Sequence, residues 1–557
     1  MVPRSGGELL VAALRINGVD RVFCVPGESY IAALDALYDV PSIAVVTTRH
    51  EAGAANMAEA DGKMTGRPGV AMVTRGPGAT HASTGVHTAM QDSTPMLLFV
   101  GQVARGMRGR EAFQEIDYAQ MFGGVAKWAT EIDDARRIPE LVTRAFHVAM
   151  SGRPGPVVLA LPEDMLRDRV DVPDLGPAVA AGAHPGDDDL ARMRELLGGA
   201  RRPLLLLGGS GWDAPAVDAI RRFAQRAGLP TACTFRRQAL FDARDEHYVG
   251  DVGVGVNPAL AQRVREADLI LAVGGRLGEA VTSGYTLIES PRPKQRLIHV
   301  HADPNELGRV YEADLPINAV PKFFARALGA LEPVDGAPWR EWLLAARSDY
   351  TQSLAPSFEP ARLDLAAIVR FLSERLPDDA MLCNGAGNFA AWLHRFFQYK
   401  AFGTQLGSTA GAMAYGIPAA IAAKLRYPER IVVAWAGDGD FMMSGHELAT
   451  AMQYGAPIVV IVINNGMLAT IRMHQERAYP GRPIATDLRN PDFVALARAY
   501  GAHAALVERT EEFAPAFERA LESGLPALLE LRVDPEVIST RTTISAIRAA
   551  ALARGPG

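Results

Sequence analysis

The chain has 557 residues, of which 48% are hydrophobic and 22% are charged, and its formal net charge is −6. This composition is typical of a soluble globular protein, and the length predicts three or four domains. The sequence has no run of basic residues that would suggest a nucleic-acid partner, and its longest apolar stretches are far too short to cross a membrane.

The N-terminal sequence lacks the apolar core and cleavage site of a signal peptide, so we expect a cytoplasmic protein. The three cysteines, Cys24, Cys233 and Cys383, are far apart and follow no metal-binding spacing. We expect them to be reduced thiols, as is usual in a cytoplasm.

Three blocks of the chain alternate strand-like apolar runs with helical patterns, which predicts three parallel α/β domains with doubly wound sheets. Two breaks in composition, over residues 171–189 and roughly 332–363, are interpreted as linkers. The predicted boundaries are 1–172 for an N-terminal domain, 188–335 for a central domain, 360–540 for a C-terminal domain and 541–557 for a tail.

In the first block, residues 43–47 are predicted to form a strand, and Glu51 follows at the start of a helix that ends near Gly66. Residues 69–74 and 96–101 are further predicted strands, and 76–80 (GPGAT) is a predicted turn. Glu51 is thus expected at the carboxyl end of a strand, where open α/β sheets bind ligands. Alternatively, a glutamate at a helix start only interacts favourably with the helix dipole.

In the third block, residues 431–435 and 458–463 are predicted to be buried parallel strands. A helix between them is expected to begin with a capping box of Ser444 and Glu447 and to end at Gly455. The two strands would bring Asp438 and Asn465 to the same sheet edge.

Asp438 lies in Gly437-Asp438-Gly439, and 24 residues later comes the pair Asn464-Asn465. A carboxylate and an amide oxygen are hard donors that suit Mg²⁺. An ordinary βαβ unit with a surface Asp and an Asn-rich turn is the alternative.

This pattern resembles the metal–diphosphate motif of thiamine-diphosphate-dependent enzymes. The resemblance implies that the side chains of Asp438 and Asn465 and the backbone carbonyl of Met467 bind Mg²⁺, which in turn binds the cofactor's diphosphate. It also implies three domains: an N-terminal domain that binds the cofactor's pyrimidine, a central domain, and a C-terminal domain that binds the cofactor's diphosphate. The neighbouring residues expected to bind the cofactor are Gly437, Gly439 and Asp440.

The same resemblance assigns three further features of the cofactor site. Glu51 matches the glutamate that hydrogen-bonds the cofactor's aminopyrimidine and promotes loss of its reactive proton. Met413, in GAMAYGIP (411–418), matches the apolar wedge that bends the cofactor, although it could be an ordinary core residue. Gly387 and Asn388 follow a strand-like run and are expected to contact the diphosphate.

Several segments are most similar to the acetolactate synthase-like branch, among them VPGESY, RHEAGAANMAEA, GPGATH, AFQE and AKW. The resemblance implies that Gly27 faces the cofactor and that Phe113, Gln114 and Lys127 lie in or near the active site. Gln114 could instead be a solvated loop residue.

The implied activity is a carboligase: it decarboxylates a 2-oxo acid, by default pyruvate, and joins the remaining fragment to a second carbonyl compound. The alternatives are a 2-oxo acid decarboxylase, a benzaldehyde-lyase-like or 2-hydroxyacyl-CoA lyase, or a cofactor-binding protein without catalysis. The family's site lies between subunits, so a homodimer is the expected minimum and a homotetramer the expected assembly.

The central block departs from its relatives. An apolar run at 204–207 precedes Gly208-Gly209-Ser210-Gly211, which is a weak nucleotide-loop signal. The relatives' G-x-R-F-D-D-R and Met-His-Gly segments are replaced here at 274–280 and 252–254. We therefore predict that FAD is absent.

Other departures concern substrate handling. His474 aligns loosely with a Trp that sets acceptor preference in biosynthetic relatives, so we assign it to catalysis, with an exposed helix residue as the alternative. No His-His pair of the pyruvate decarboxylases is found, but His81 and His87 could donate protons. The tail is either a lid over the substrate or a disordered end.

Overall fold

The computed structural model describes residues 2–332, 334–358 and 362–554 of the chain. Within these residues the chain forms three six-stranded sheets, one in each predicted block, and a short two-stranded pair. The predicted fold class is therefore confirmed, while the domain boundaries stay predictions. Two compact units are present: one holds the residues up to Gly182 together with Ile421–Arg426, and the other holds the remainder.

The first unit is built on one parallel sheet with the strand order β3-β2-β4-β5-β7-β6, and β1 pairs antiparallel with β8. The strands are β1 (Arg4–Ser5), β2 (Arg21–Cys24), β3 (Ala44–Thr47), β4 (Gly69–Val73), β5 (Met96–Gln102), β6 (Trp128–Glu131), β7 (Pro156–Pro162) and β8 (Arg169–Val170). The helices are α1 (Gly6–Ile16), α2 (Ile31–Tyr38), α3 (Glu51–Thr65), α4 (Pro77–Asp92), α5 (Tyr118–Phe122) and α6 (Ile138–Met150).

The central sheet is also parallel, with the order β11-β10-β9-β12-β13-β14 and an apolar core on each face. Its strands are β9 (Pro203–Leu207), β10 (Thr231–Thr234), β11 (Tyr248–Val252), β12 (Leu269–Val273), β13 (Arg296–His301) and β14 (Leu315–Asn318). The helices are α7 (Asp187–Gly198), α8 (Ala214–Arg226), α9 (Pro258–Glu266), α10 (Pro321–Gly329) and α11 (Arg340–Ser353).

The third sheet has the parallel order β16-β15-β17-β18-β20-β19. Its strands are β15 (Met381–Asn384), β16 (Gln405–Gly407), β17 (Val432–Gly437), β18 (Val459–Asn464), β19 (His503–Val507) and β20 (Ala527–Arg532). The helices are α12 (Leu365–Arg375), α13 (Ala390–Phe396), α14 (Gly416–Arg426), α15 (Asp438–Met442), α16 (Leu448–Gln453), α17 (Ala469–Ala478), α18 (Phe493–Ala499), α19 (Thr510–Glu522) and α20 (Ile544–Arg554).

Three local predictions are corrected. The segment 332–363 is not all linker, because it contains α11, whose Tyr350 is buried in the central core together with the preceding Trp339. The segment predicted as a turn at 76–80 begins α4 at Pro77. The capping box does not form, because Ser444 makes no side-chain cap and Glu447 instead accepts a hydrogen bond from the Thr450 hydroxyl, at 2.5 Å.

The tail is a helix rather than a disordered end, as far as the described residues extend. Helix α20 packs on α17, and its Ile544 and Ile547 form a small apolar cluster with Met467 and Ile538. The last three residues of the tail, 555–557, lie outside the described residues. Across the described chain, no helix combines the length and apolar character needed to cross a membrane.

Candidate functional site

The carboxyl edge of the third sheet carries the predicted metal ligands. Strands β17 and β18 are parallel neighbours, with Gly437 paired in register to Ile463, so Asp438 and Asn465 emerge side by side. The apolar residues of both strands are buried on both faces, which fixes their register and hence the position of the two polar residues.

Asp438 is held by three hydrogen bonds. Its Oδ2 accepts from the Gly466 N–H and from the Asn490 amide, each at 2.8 Å, and its Oδ1 accepts from the Gly439 N–H at 2.9 Å. Burial raises the pKa of the Asp438 carboxyl, while these hydrogen bonds act in the opposite direction. The side chain is therefore oriented before any ligand arrives.

The two asparagines of the Asn pair have different surroundings. Asn464 donates to the buried Glu530 at 2.8 Å and accepts from Asn490 at 3.0 Å, so it joins the sheet to the Asp438 contact. Asn465 faces the cavity described below, and its Oδ1 accepts from the Met467 N–H at 3.2 Å. Asn490 was not predicted, because it lies in a loop 52 residues beyond Asp438 with no motif around it.

A cavity opens at this edge of the sheet, within the second unit. Nine of the predicted cofactor-binding residues line it: Gly387, Asn388, Met413, Gly437, Asp438, Gly439, Asp440, Asn465 and Met467. Apolar residues that the sequence analysis did not assign complete the lining, including Leu365, Phe389, Trp392, Leu468, Ile471, Val533, Val537 and Ile538. A cavity with a polar end and apolar walls suits a ligand with a charged group and an organic body.

The residues of this cavity fit a metal-bound diphosphate. Asp438 and Asn465 offer one carboxylate and one amide oxygen, the donor set that Mg²⁺ prefers. The glycines leave room for neighbouring side chains of the cavity: a Cβ on Gly437 would lie 2.6 Å from Phe389 Cδ1, and one on Gly439 would lie 2.7 Å from Leu468 Cδ2.

Asp440 lines the cavity and also makes hydrogen bonds within the protein, so its assignment to cofactor binding stays a prediction. Its Oδ1 accepts hydrogen bonds from the N–H groups of Ala414, at 2.9 Å, and Ala386, at 3.4 Å. Full burial raises the pKa of its carboxyl to about 7. The carboxylate thus joins the loop of Gly387 to the loop of Met413.

Asn388 links the cavity to α17 and to the chain before the tail helix. Its side chain accepts from the Thr470 hydroxyl and donates to the Ile538 carbonyl, both at 2.9 Å. His474 lies on the exposed side of α17 and does not line the cavity, so its catalytic assignment stays a prediction.

In the first unit, Glu51 begins α3 directly after His50, which caps the helix by accepting from the Ala52 N–H at 3.1 Å. The Glu51 Oε2 lies 2.9 Å from Nδ1 of His81 on α4, and the rings of His50 and His81 stack with centroids 4.5 Å apart. His87, the other suggested proton donor, is exposed further along α4. The structure thus joins one of the two suggested histidines to the predicted catalytic carboxylate.

The loop that starts α4 contacts both Glu51 and Gln114. A Cβ on Gly78 would lie 3.4 Å from Glu51 Oε1, and one on Gly76 would lie 2.7 Å from Gln114 Cβ. Gln114 has a φ of +66°, a left-handed conformation that is uncommon for a residue with a side chain. Gly27 is close-packed too, since a Cβ there would lie 2.4 Å from Thr74 Cβ.

Phe113 is exposed, whereas the Lys127 side chain is held by hydrogen bonds. The Phe113 side chain is 75% exposed, so it is available for a ligand or a partner. The Lys127 ammonium donates to the Ser151 carbonyl at 2.6 Å and to the Val148 carbonyl, at the end of α6. Neither geometry tests the roles predicted for them.

Comparison with known proteins gives a family for each sheet. Three models of thiamine pyrophosphate enzymes match: the N-terminal TPP binding domain at residues 4–121, the central domain at 190–328, and the C-terminal TPP binding domain at 385–531.

Whole-chain relatives agree with these domain matches. The acetolactate synthase large subunit of Corynebacterium glutamicum is 32% identical over 546 residues, which cover 93% of this chain and 85% of that protein. The acetolactate synthase isozyme 2 large subunit of Escherichia coli K12 is 30% identical, covering 95% and 96%. A probable acetolactate synthase large subunit of Methanocaldococcus jannaschii is 32% identical, covering 95% and 92%.

Proposed function

We propose that this chain, which belongs to the acetolactate synthase-like branch of the thiamine-diphosphate-dependent enzymes, is a carboligase that decarboxylates pyruvate and joins the remaining fragment to a second carbonyl compound. The proposal rests on the cavity at the carboxyl ends of β17 and β18, where Asp438 and Asn465 supply oxygen donors that suit a metal ion. Glu51 at the equivalent edge of the first sheet supplies the second carboxylate that catalysis needs.

In this proposal the side-chain oxygens of Asp438 and Asn465 and the carbonyl of Met467 hold Mg²⁺. Gly387, Asn388, Gly437 and Gly439 would hold the diphosphate, and Met413 would contact the organic part of the cofactor. When bound, thiamine diphosphate supplies the nucleophilic carbon and the electron sink for decarboxylation.

The remaining chemistry belongs to side chains of the first unit. Glu51 would accept a hydrogen bond from the cofactor's aminopyrimidine and supply the carboxylate for acid–base chemistry there. Gln114 would offer a neutral amide to a substrate carboxylate or alkoxide, and Phe113, Lys127 and Gly27 belong to the same proposed group. His474, on α17 of the second unit, is proposed in addition. His81 keeps the Glu51 carboxylate in place through the 2.9 Å contact.

We further propose a homodimer as the minimum assembly, a homotetramer as the working form, and a cytoplasmic location. Cys24, Cys233 and Cys383, all within the described chain, are buried and form no disulfide, which supports a reducing compartment. We also propose that the central domain carries no flavin, because its segments 274–280 and 252–254 depart from the pattern of flavin-binding relatives.

Product identification by NMR tests the function directly. The purified protein is incubated with thiamine diphosphate, Mg²⁺ and ¹³C-labelled pyruvate. Labelled acetolactate is the expected product. Labelled acetaldehyde would instead indicate a decarboxylase, and no turnover with proven cofactor binding would point to a lyase of 2-hydroxy-carbonyl compounds or to binding without catalysis. The same protein is then denatured. Release of flavin would contradict the proposal that the central domain carries none.

A further inference from the structure

Arg236 has a conformation and an environment that the central sheet does not require. It follows β10 with a φ of +57°, a left-handed conformation that is strained for a residue with a Cβ. Arg236 is only 3% exposed, so its guanidinium is buried away from water. Both features cost free energy, and a strained, buried residue of this kind is a reason to look for a function.

The Arg236 guanidinium lies over the ring of Phe235 in the central domain and donates hydrogen bonds to the third domain. One nitrogen donates to the Gly385 carbonyl at 2.7 Å, and another donates to the Ser408 carbonyl. Gly385 follows β15 and opens the loop of Gly387 and Asn388, whereas Ser408 follows β16 and opens the loop of Met413. Arg236 therefore bridges the starts of the two loops that line the cavity.

Asp440 bridges the same two loops through their amide groups. It accepts from the N–H groups of Ala386 and Ala414, which lie in the same two loops as the carbonyls bound by Arg236. The fit is close, because a Cβ on Gly385 would lie 2.1 Å from Asp440 Oδ1. A buried cation and a buried carboxylate thus hold the two loops from both sides.

We propose that Arg236 is a positioning residue for thiamine diphosphate: it fixes the loops 385–388 and 408–414 so that Gly387, Asn388 and Met413 face the cofactor. The central domain then contributes to cofactor binding without contacting the cofactor. The identity of the ligand rests on the proposed function, whereas the bridge between the loops rests on the contacts above.

The test compares Arg236→Met with Arg237→Met. Arg237 is the matched control, since it is the next residue, is only partly buried, and donates to the Gly209 carbonyl within its own domain at 2.9 Å. Binding of thiamine diphosphate at saturating Mg²⁺ is measured by titration calorimetry, and the unfolding midpoint of each cofactor-free protein is measured beside it.

We expect the Kd for thiamine diphosphate to rise about tenfold to a hundredfold in Arg236→Met, because small displacements of positioning groups have effects of this size. Arg237→Met should bind as the wild type does. A purely structural role would lower the unfolding midpoint of Arg236→Met and leave its cofactor affinity unchanged.

The outcomes separate this inference from the proposed function. Wild-type protein that binds no thiamine diphosphate overturns the proposed function. Wild-type binding with an unchanged Kd in folded Arg236→Met overturns the role of Arg236. If that variant does not fold, Arg236→Gln, which keeps a neutral donor, takes its place: a raised Kd supports the role, and wild-type affinity overturns it.

Discussion

Two carboxylates lie at the carboxyl edges of the first and third sheets, Glu51 after the edge strand β3 and Asp438 after the interior strand β17, and their surroundings differ. Glu51 and Asp438 each begin a helix directly after, or close to, the end of a parallel strand. Asp438 is 3% exposed and receives two backbone N–H groups and the Asn490 amide. Glu51 contacts His81, whose side chain is 48% exposed.

This difference suits the two roles proposed for the carboxylates, metal binding for Asp438 and proton transfer for Glu51. A metal ligand must be held rigidly, because Mg²⁺ demands near-ideal geometry and leaves little room for error. A carboxylate that moves protons must respond to its ligand, so a rigid cage of backbone donors would fix its charge and oppose its task. The comparison therefore predicts that changes at the two sites affect different measurements.

Glu51→Gln should have the largest effect, and on catalysis alone. The amide keeps the size of the side chain and loses the charge, so kcat should fall about 10²–10⁴-fold, the usual contribution of acid–base catalysis. The Kd for thiamine diphosphate should change only a few-fold, and exposed Glu140→Gln on α6 is the control. Wild-type turnover in a variant that binds the cofactor would remove Glu51 from the mechanism.

Asn490→Ala should affect metal binding instead. It removes one of the three donors that orient Asp438 and also the link to Asn464, so the affinity for Mg²⁺ should fall about tenfold to a hundredfold, as for other residues that orient metal ligands. Titration of Mg²⁺ in the presence of thiamine diphosphate measures this, and kcat at saturating Mg²⁺ should be nearly recovered. Asn305→Ala, at an exposed turn of the central domain, is the control; equal affinities in both variants would show that Asn490 does not orient the ligand.

His81→Ala tests the site of Glu51. Without the 2.9 Å contact the Glu51 carboxylate can take other orientations, so kcat should fall about tenfold while the affinity for Mg²⁺ stays unchanged. His87→Ala, on an exposed turn of the same helix, should behave as the wild type. A loss of Mg²⁺ affinity in His81→Ala would contradict the separation of the two roles.

Local sequence was sufficient for the parts of this site that depend on strand and helix patterns. The apolar runs of β17 and β18 predicted the strands, and the position of Asp438 and Asn465 followed from them. Asn490 and Arg236 were not predictable in this way, because each acts on residues far along the chain and carries no periodic signal.

The failed predictions have a related cause. The spacing of Ser444 and Glu447 fits a capping box, but Thr450 competes for the Glu447 carboxylate and α15 has already begun at Asp438. The segment 332–363 is rich in Pro, Ala and charged residues, a composition typical of a linker, whereas its buried Trp339 and Tyr350 join it to the central core.

The tail helix permits the smallest and most local prediction. Arg548 on α20 donates two hydrogen bonds, at 2.6 and 2.8 Å, to Glu476 on α17, and the Gly481 N–H donates to the same carboxylate at 2.9 Å. The contact with Arg548 lowers the pKa of Glu476 from 4.5 to about 2. Because the folded value is depressed, this contact stabilises the docked helix fully above about pH 4.5 and is lost as the pH falls towards 2.

Arg548→Met should therefore weaken docking of α20 at pH 7, because the Glu476 carboxylate loses its main partner. Hydrogen exchange of the α20 amides should become faster, whereas exposed Arg554→Met on the same helix should leave it unchanged. The difference between Arg548→Met and the wild type should shrink between pH 4.5 and 2, because Glu476 becomes protonated in both. A difference that stays constant over this range would mean that Arg548 holds the helix through packing rather than through its charge.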